Sequence, residues 1–139
     1  MPMIDVSEFQ SLIEADLPLV GLFGIRTTAI GDDGTASMRM HFNPGLIRPG
    51  GTVAGPALMA LADVALYAAV LGQIGRVELA VTTSLNINFL RKPGPADVLA
   101  EARLLKLGKR LAVGEVTLYS QDDPDPVAHV TATYSIPPR

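Results

Sequence analysis

Gly55-Pro-Ala-Leu-Met-Ala-Leu-Ala-Asp-Val-Ala-Leu-Tyr-Ala-Ala-Val-Leu71 is the stretch whose reading decides the fold. Its apolar residues point in almost every direction around a helix, the pattern of a helix wrapped by other structure rather than lying on a surface. Pro56 stands at or near the first helical position, where a missing N–H costs nothing, and Gly72 and Gly75 are expected to end the helix. Asp63 is the only charged residue between Arg48 and Arg76. A lone carboxylate inside a buried helix is destabilising unless something pairs with it or uses it, so Asp63 is the first candidate for function.

The flanks read as strands. Upstream, Ser7 can cap a short helix to about Glu14 that stops at Pro18, and Gly21 to Ile30 is expected as a strand. Gly31-Asp-Asp-Gly34 is a hairpin-type turn. Thr35 to Phe42 then alternates, with Ala36, Met38, Met40 and Phe42 on the buried face. A Pro/Gly-rich loop, Asn43 to Thr52, leads into the helix. Downstream come four strand candidates: Leu79 to Leu90, Asp97 to Leu107, Leu111 to Ser120, and a last strand with Ala128, Val130, Ala132, Tyr134 and Ile136 facing in. An antiparallel sheet wrapping one long buried helix is an α+β arrangement, expected as a single domain over 1–139.

Composition narrows the function. With 48% hydrophobic and 18% charged residues, the chain is apolar enough to expect a surface covered by a partner subunit. A net charge of −3 without a basic run argues against nucleic acid. Having no cysteine, the chain has no disulfide, thiolate metal site or cysteine nucleophile. The first residues lack the features of a signal peptide, and Ala57 to Leu71 is expected to be too short to span a bilayer and carries Asp63 at its centre. No membrane association and a cytoplasmic location are the expectations. His41 and His129 fall on polar strand faces without metal-ligand partners, so no metal site is expected, and Gly50 to Gly55 lacks the Gly-Lys-Ser/Thr of a phosphate loop.

Ala54-Gly55-Pro56, Leu61-Ala62-Asp63, Val81-Thr-Thr-Ser-Leu-Asn-Ile-Asn-Phe-Leu-Arg-Lys-Pro93 and Gly108-Lys-Arg110 together resemble the hotdog-fold thioesterases of the phenylacetate-pathway (PaaI-like) type. These stretches fall at that family's His-Gly-Gly turn, helix acid, long strand and Gly-basic-basic turn. The resemblance implies a hotdog fold, a homodimer or homotetramer, and acyl-CoA thioester hydrolysis with no cofactor beyond the coenzyme A of the substrate. Two positions depart from the family: Ala54 replaces the histidine and Pro56 the second glycine.

Thioester hydrolysis needs an oxyanion stabiliser and a base or nucleophile. Gly55, at the helix start, offers an N–H and the positive end of the helix dipole. Asp63 is the base or the nucleophile, and the sequence leaves both open. Gly55 and Asp63 are roughly 12 Å apart along one helix, so one carbonyl can use both only if they come from different subunits. By the resemblance, Thr82 takes the place of a Ser/Thr that holds the attacking water; Thr83 is a weaker candidate beside it. Substrate-binding candidates are Asn43 and Arg48 in the loop, Met59 and Tyr67 on the helix, and Arg91, Lys92 and Arg110 as phosphate-binding cations. The competing functions are a non-catalytic acyl-CoA-binding protein, favoured by the missing histidine, and a hotdog dehydratase or hydratase, disfavoured by it.

Overall fold

The computed structural model describes residues 1–138. Its elements are α1 (Val6–Asp16), α2 (Leu19–Phe23), β1 (Ile25–Ile30), β2 (Thr35–Met40), α3 (Gly55–Ile74), β3 (Val81–Phe89), β4 (Val98–Leu107), β5 (Leu111–Ser120) and β6 (Pro126–Ser135). The strands form one antiparallel sheet in the order β1-β2-β4-β5-β6-β3, which leaves β1 and β3 as its edges. The long helix lies against the sheet as its apolar periphery requires: Leu58, Leu61, Ala62, Leu66 and Leu71 are fully buried, with strand residues such as Met38, Ala100, Val116 and Val130 packed in the same core. This is the hotdog fold.

Alternation places the sheet's inner face. In β2, Ala36, Met38 and Met40 are buried, and in β6 so are Ala128, Val130, Ala132 and Tyr134. The outer face carries polar and charged pairs, among them Arg103 with Glu115 and His129 with Glu115 at 2.9 Å. Among the described residues, edge strand β3 bonds to β6 alone and leaves its other side open, with Val81 and Phe89 more than half exposed.

Several boundaries differ from expectation, each for a local reason. The first helix is capped by Asp5, whose side chain accepts from the Glu8 N–H at 2.8 Å, rather than by Ser7. Residues 19–23 form the short helix α2, so Gly21 to Phe23 are helix instead of strand, because Gly24 takes the left-handed conformation (φ 66°) that ends a helix and turns the chain into β1. Within the loop, Pro44–Leu46 makes a 3-10 turn. Gly72 lies inside α3, and Gly75 is the cap. A glycine is needed at 72 for close approach: a Cβ there would stand 2.7 Å from Ile30 Cγ2. With its 20 residues, α3 is therefore long and apolar enough to cross a bilayer, which corrects the length argument against a membrane span. Most of its residues are buried within the fold, as expected of a core helix.

Candidate active site

The start of α3 presents one free donor. Ala54 is the N-cap and has no capping side chain. The N–H groups of Ala57 and Leu58 both go to the Ala54 carbonyl, at 3.1 and 3.3 Å. Pro56 has no N–H. Among the described residues the Gly55 N–H has no acceptor, and the helix dipole adds to its positive character. Gly55 lies against the end of β3, where a Cβ would meet the Phe89 ring at 3.1 Å. This corner opens into a cavity of about 240 Å³, lined by Gly55, Leu58 and Phe89 with the cations Arg48, Arg91 and Lys92.

Asp63 lies in a different place. Half-buried on α3, it lines a cavity of about 260 Å³ with Thr82, Tyr67 and Tyr134 and with apolar residues of α1, including Leu12 and Ile13. Its Oδ1 accepts the Thr82 hydroxyl at 2.5 Å and the Tyr134 hydroxyl at 2.8 Å. Tyr134 also reaches the Asp63 backbone carbonyl at 2.8 Å. Burial, and next the charge of Asp63, push the Tyr134 phenol far above its ordinary value, so it stays protonated and acts as a donor. Tyr67, one turn beyond Asp63, stacks on Tyr134 with centroids 6.0 Å apart and donates to the Glu78 carbonyl at 3.0 Å. Burial and then Glu78 raise its phenol as well.

A β-bulge brings Thr82 to this site. Strict alternation from Leu85 and Ile87 would turn Thr83 inward. Instead the β3–β6 register skips between Thr82 and Ser84, so that Thr82 stands opposite Tyr134 while Ser84 stands opposite Thr133. The extra residue reverses the parity of the strand and aims Thr82 at the helix. Thr83 is exposed and bonds the Thr133 carbonyl at 3.3 Å.

The structure thus groups the sequence candidates into two sets. Asp63, Thr82 and Tyr67 share one cavity. Gly55, Arg48, Arg91 and Lys92 share the other, where Arg91 is also paired with Asp125 at 2.6 Å. The remaining candidates stand apart. Asn43 caps the 3-10 turn, accepting from the Gly45 N–H at 2.8 Å. Met59 is partly exposed and lines neither cavity, and Arg110 sits beside Lys109, Pro137 and Pro138 at another corner. Sequence reasoning gave Tyr134 no role beyond the core. Its signal was present, since a phenol among inward Ala and Val residues needs a polar partner, and Asp63 is the one charged residue of the helix it faces.

An antiparallel sheet wrapped round one long helix is the fold of the thioesterase class of proteins. The Thioesterase superfamily model matches residues 50–127, from the loop before α3 to the second residue of β6. The chain belongs to that superfamily. A candidate esterase of Saccharolobus solfataricus is 33% identical over 120 residues, covering 85% of this chain and 77% of the relative. The crystal structure of a candidate thioesterase from Silicibacter sp. TM1040 is 42% identical with a TM-score of 0.89, covering 99% of this chain and 95% of the other. The phenylacetic acid degradation protein PaaI of Thermus thermophilus, solved as a mutant, is 27% identical with a TM-score of 0.76, covering 86% of this chain and 99% of the other.

Proposed function

We propose that the protein hydrolyses acyl-CoA thioesters at sites shared between two copies of the chain. The observation that carries this is the division of the site: Gly55 with its cations and Asp63 with its hydroxyl partners line separate cavities that have no residue in common. Strand β3 touches both, through Phe89 at Gly55 and Thr82 at Asp63, and its outer edge is open. Antiparallel pairing of β3 with its copy brings the Phe89 end of one strand beside the Thr82 end of the other. Gly55 of one subunit then faces Asp63 of its partner, and a homodimer holds two sites. A homotetramer would pair such dimers.

In this site the Gly55 N–H polarises the thioester carbonyl and stabilises the developing oxyanion. Asp63 either takes the proton of an attacking water or attacks the carbonyl itself, giving an anhydride that water then opens. Either route releases the acid and the coenzyme A thiol and needs no further cofactor. Arg48, Lys92 and Arg91 at the Gly55 corner suit the phosphates of coenzyme A, and the apolar, aromatic wall beyond Asp63 suits an uncharged acyl group. A cytoplasmic location is consistent with such a substrate.

A panel of acyl-CoA esters followed by free-thiol release tests the activity: turnover of at least one class is expected. Tight binding without turnover across the panel would instead support a non-catalytic acyl-CoA-binding protein, the reading that Ala54 at the helix cap favours. Mixing Gly55-damaged with Asp63-damaged chains tests the shared site. Mixed dimers should regain activity at one of their two sites, and recovery of none would count against it.

A further inference from the structure

The two oxygens of Asp63 are not equivalent. Oδ1 accepts both the Thr82 and the Tyr134 hydroxyls, whereas among the described residues nothing donates to Oδ2. The geometry points to Tyr134 as the positioning residue that decides which carboxylate oxygen reacts, by tying Oδ1 down and leaving Oδ2 for the substrate. This inference rests on Asp63 being the reacting group of the proposed hydrolase.

A buried phenol needs only one acceptor, and the Asp63 carbonyl at 2.8 Å would satisfy it. The second contact, to Oδ1 of the same residue, goes beyond that need. Because one hydroxyl meets both the backbone and the side chain of Asp63, it constrains how the side chain turns relative to its own helix. Tyr134 is itself held firmly. It is 3% exposed, its ring stacks at 15° on Tyr67, and its strand is flanked on both sides, by Thr82 on β3 and Ala112 on β5. Thr82 alone does not fix the carboxylate, since it bonds a single oxygen from an edge strand. A reacting group displaced by about 1 Å can lose about a hundredfold in rate, so this constraint bears on turnover.

Tyr134→Phe keeps the ring and its stacking and removes only the hydroxyl. It should lower kcat by about 10–100-fold, with KM within about twofold and little change in melting midpoint. A kcat within about twofold of wild type would overturn the inference. So would a fall in kcat accompanied by a matching rise in KM and a collapsed midpoint, which would mark Tyr134 as a packing residue. Asp63→Asn is assayed alongside. If that variant is fully active, the reading of Asp63 itself fails; if it is inactive while Tyr134→Phe is unimpaired, only the positioning role falls. Should Tyr134→Phe not fold, a crystal structure of the wild-type protein with a non-hydrolysable acyl-CoA thioether decides. The oxygen that faces the thioether should be the one Tyr134 does not bond, and a Tyr134 hydroxyl bonded to the thioether-facing oxygen, or bonded to neither, would overturn the inference.

Discussion

Asp63→Asn separates a working carboxylate from a structural one, because the structure makes the exchange nearly neutral for folding. Oδ1 already holds both hydroxyl donors, and the amide oxygen of an asparagine can accept the same two bonds. The amide nitrogen then takes the place of Oδ2, which has no donor among the described residues, so no hydrogen bond is lost. Removing a half-buried charge also relieves its desolvation. The stability change should stay within about 1 kcal/mol, or about 3–5 °C in melting midpoint for a chain of this size. Catalysis is different, since the amide is neither base nor nucleophile. General-base catalysis contributes about 10²–10⁴-fold, which corresponds to about 2.7–5.4 kcal/mol of barrier. Free-thiol release with the best acyl-CoA substrate, beside a thermal melt, measures both quantities. Activity within about threefold of wild type would refute the chemical role. Loss of activity together with a large drop in midpoint would mean that the carboxylate holds the fold instead.

Three further predictions concern the rest of the molecule. Lys92→Glu, at the cationic corner beside Gly55, should raise KM for acyl-CoA about tenfold while leaving kcat within about twofold; a short thioester lacking the nucleotide should show no such rise. Gly55→Ala retains the N–H but sets a Cβ 3.1 Å from the Phe89 ring, so it should lower kcat/KM by about tenfold, and adding Phe89→Ala should restore part of the loss if crowding is the cause. Asp97→Asn should destabilise the protein by about 1–3 kcal/mol at neutral pH, read by urea unfolding. Burial of Asp97 works against its charge, but the Phe42 N–H at 2.7 Å and Arg39 at 2.8 Å prevail and hold its carboxyl below the ordinary value. That stabilisation is complete above the ordinary carboxylate range and fades as pH falls through the lowered value, so the gap between wild type and variant should close below about pH 4.

The elements that could be read from sequence are those in which burial and periodicity agree. The helix from Gly55 is apolar all round and is buried as such, while β2 and β6 alternate and present the expected residues to the core. Where one glycine serves tertiary packing, the local signal misleads. Gly72 resembles a stop but is the point where α3 meets Ile30, a contact from a strand more than 40 residues away in sequence. Gly21 to Phe23 read as the start of a strand, and the left-handed Gly24 makes them the end of a helical turn. The candidate site was legible as an isolated acid and a helix-start glycine. Tyr134 was not, because its placement depends on register: pairing across β6 and β3 sets it opposite Thr82, and a bulge that no periodicity reveals turns Thr82 toward the oxygen that Tyr134 meets.

The same edge strand spans the distance between the two candidate groups within one chain. From Thr82 to Phe89, β3 runs about 23 Å at strand rise, with the Asp63 cavity at one end and the Gly55 cavity at the other. Along α3 the two residues are only about 12 Å apart, yet the intervening turns are packed with Leu58, Leu61 and Ala62, all buried, so no substrate can pass between them. In the proposed homodimer, a dyad near the middle of β3 would exchange the ends of the strand and so superimpose one kind of half-site on the other. The open hydrogen bonds of β3, its exposed Val81 and Phe89, and the separation of the two cavities would then follow from one proposed arrangement. Assembly and catalysis should consequently be lost together when that edge is blocked.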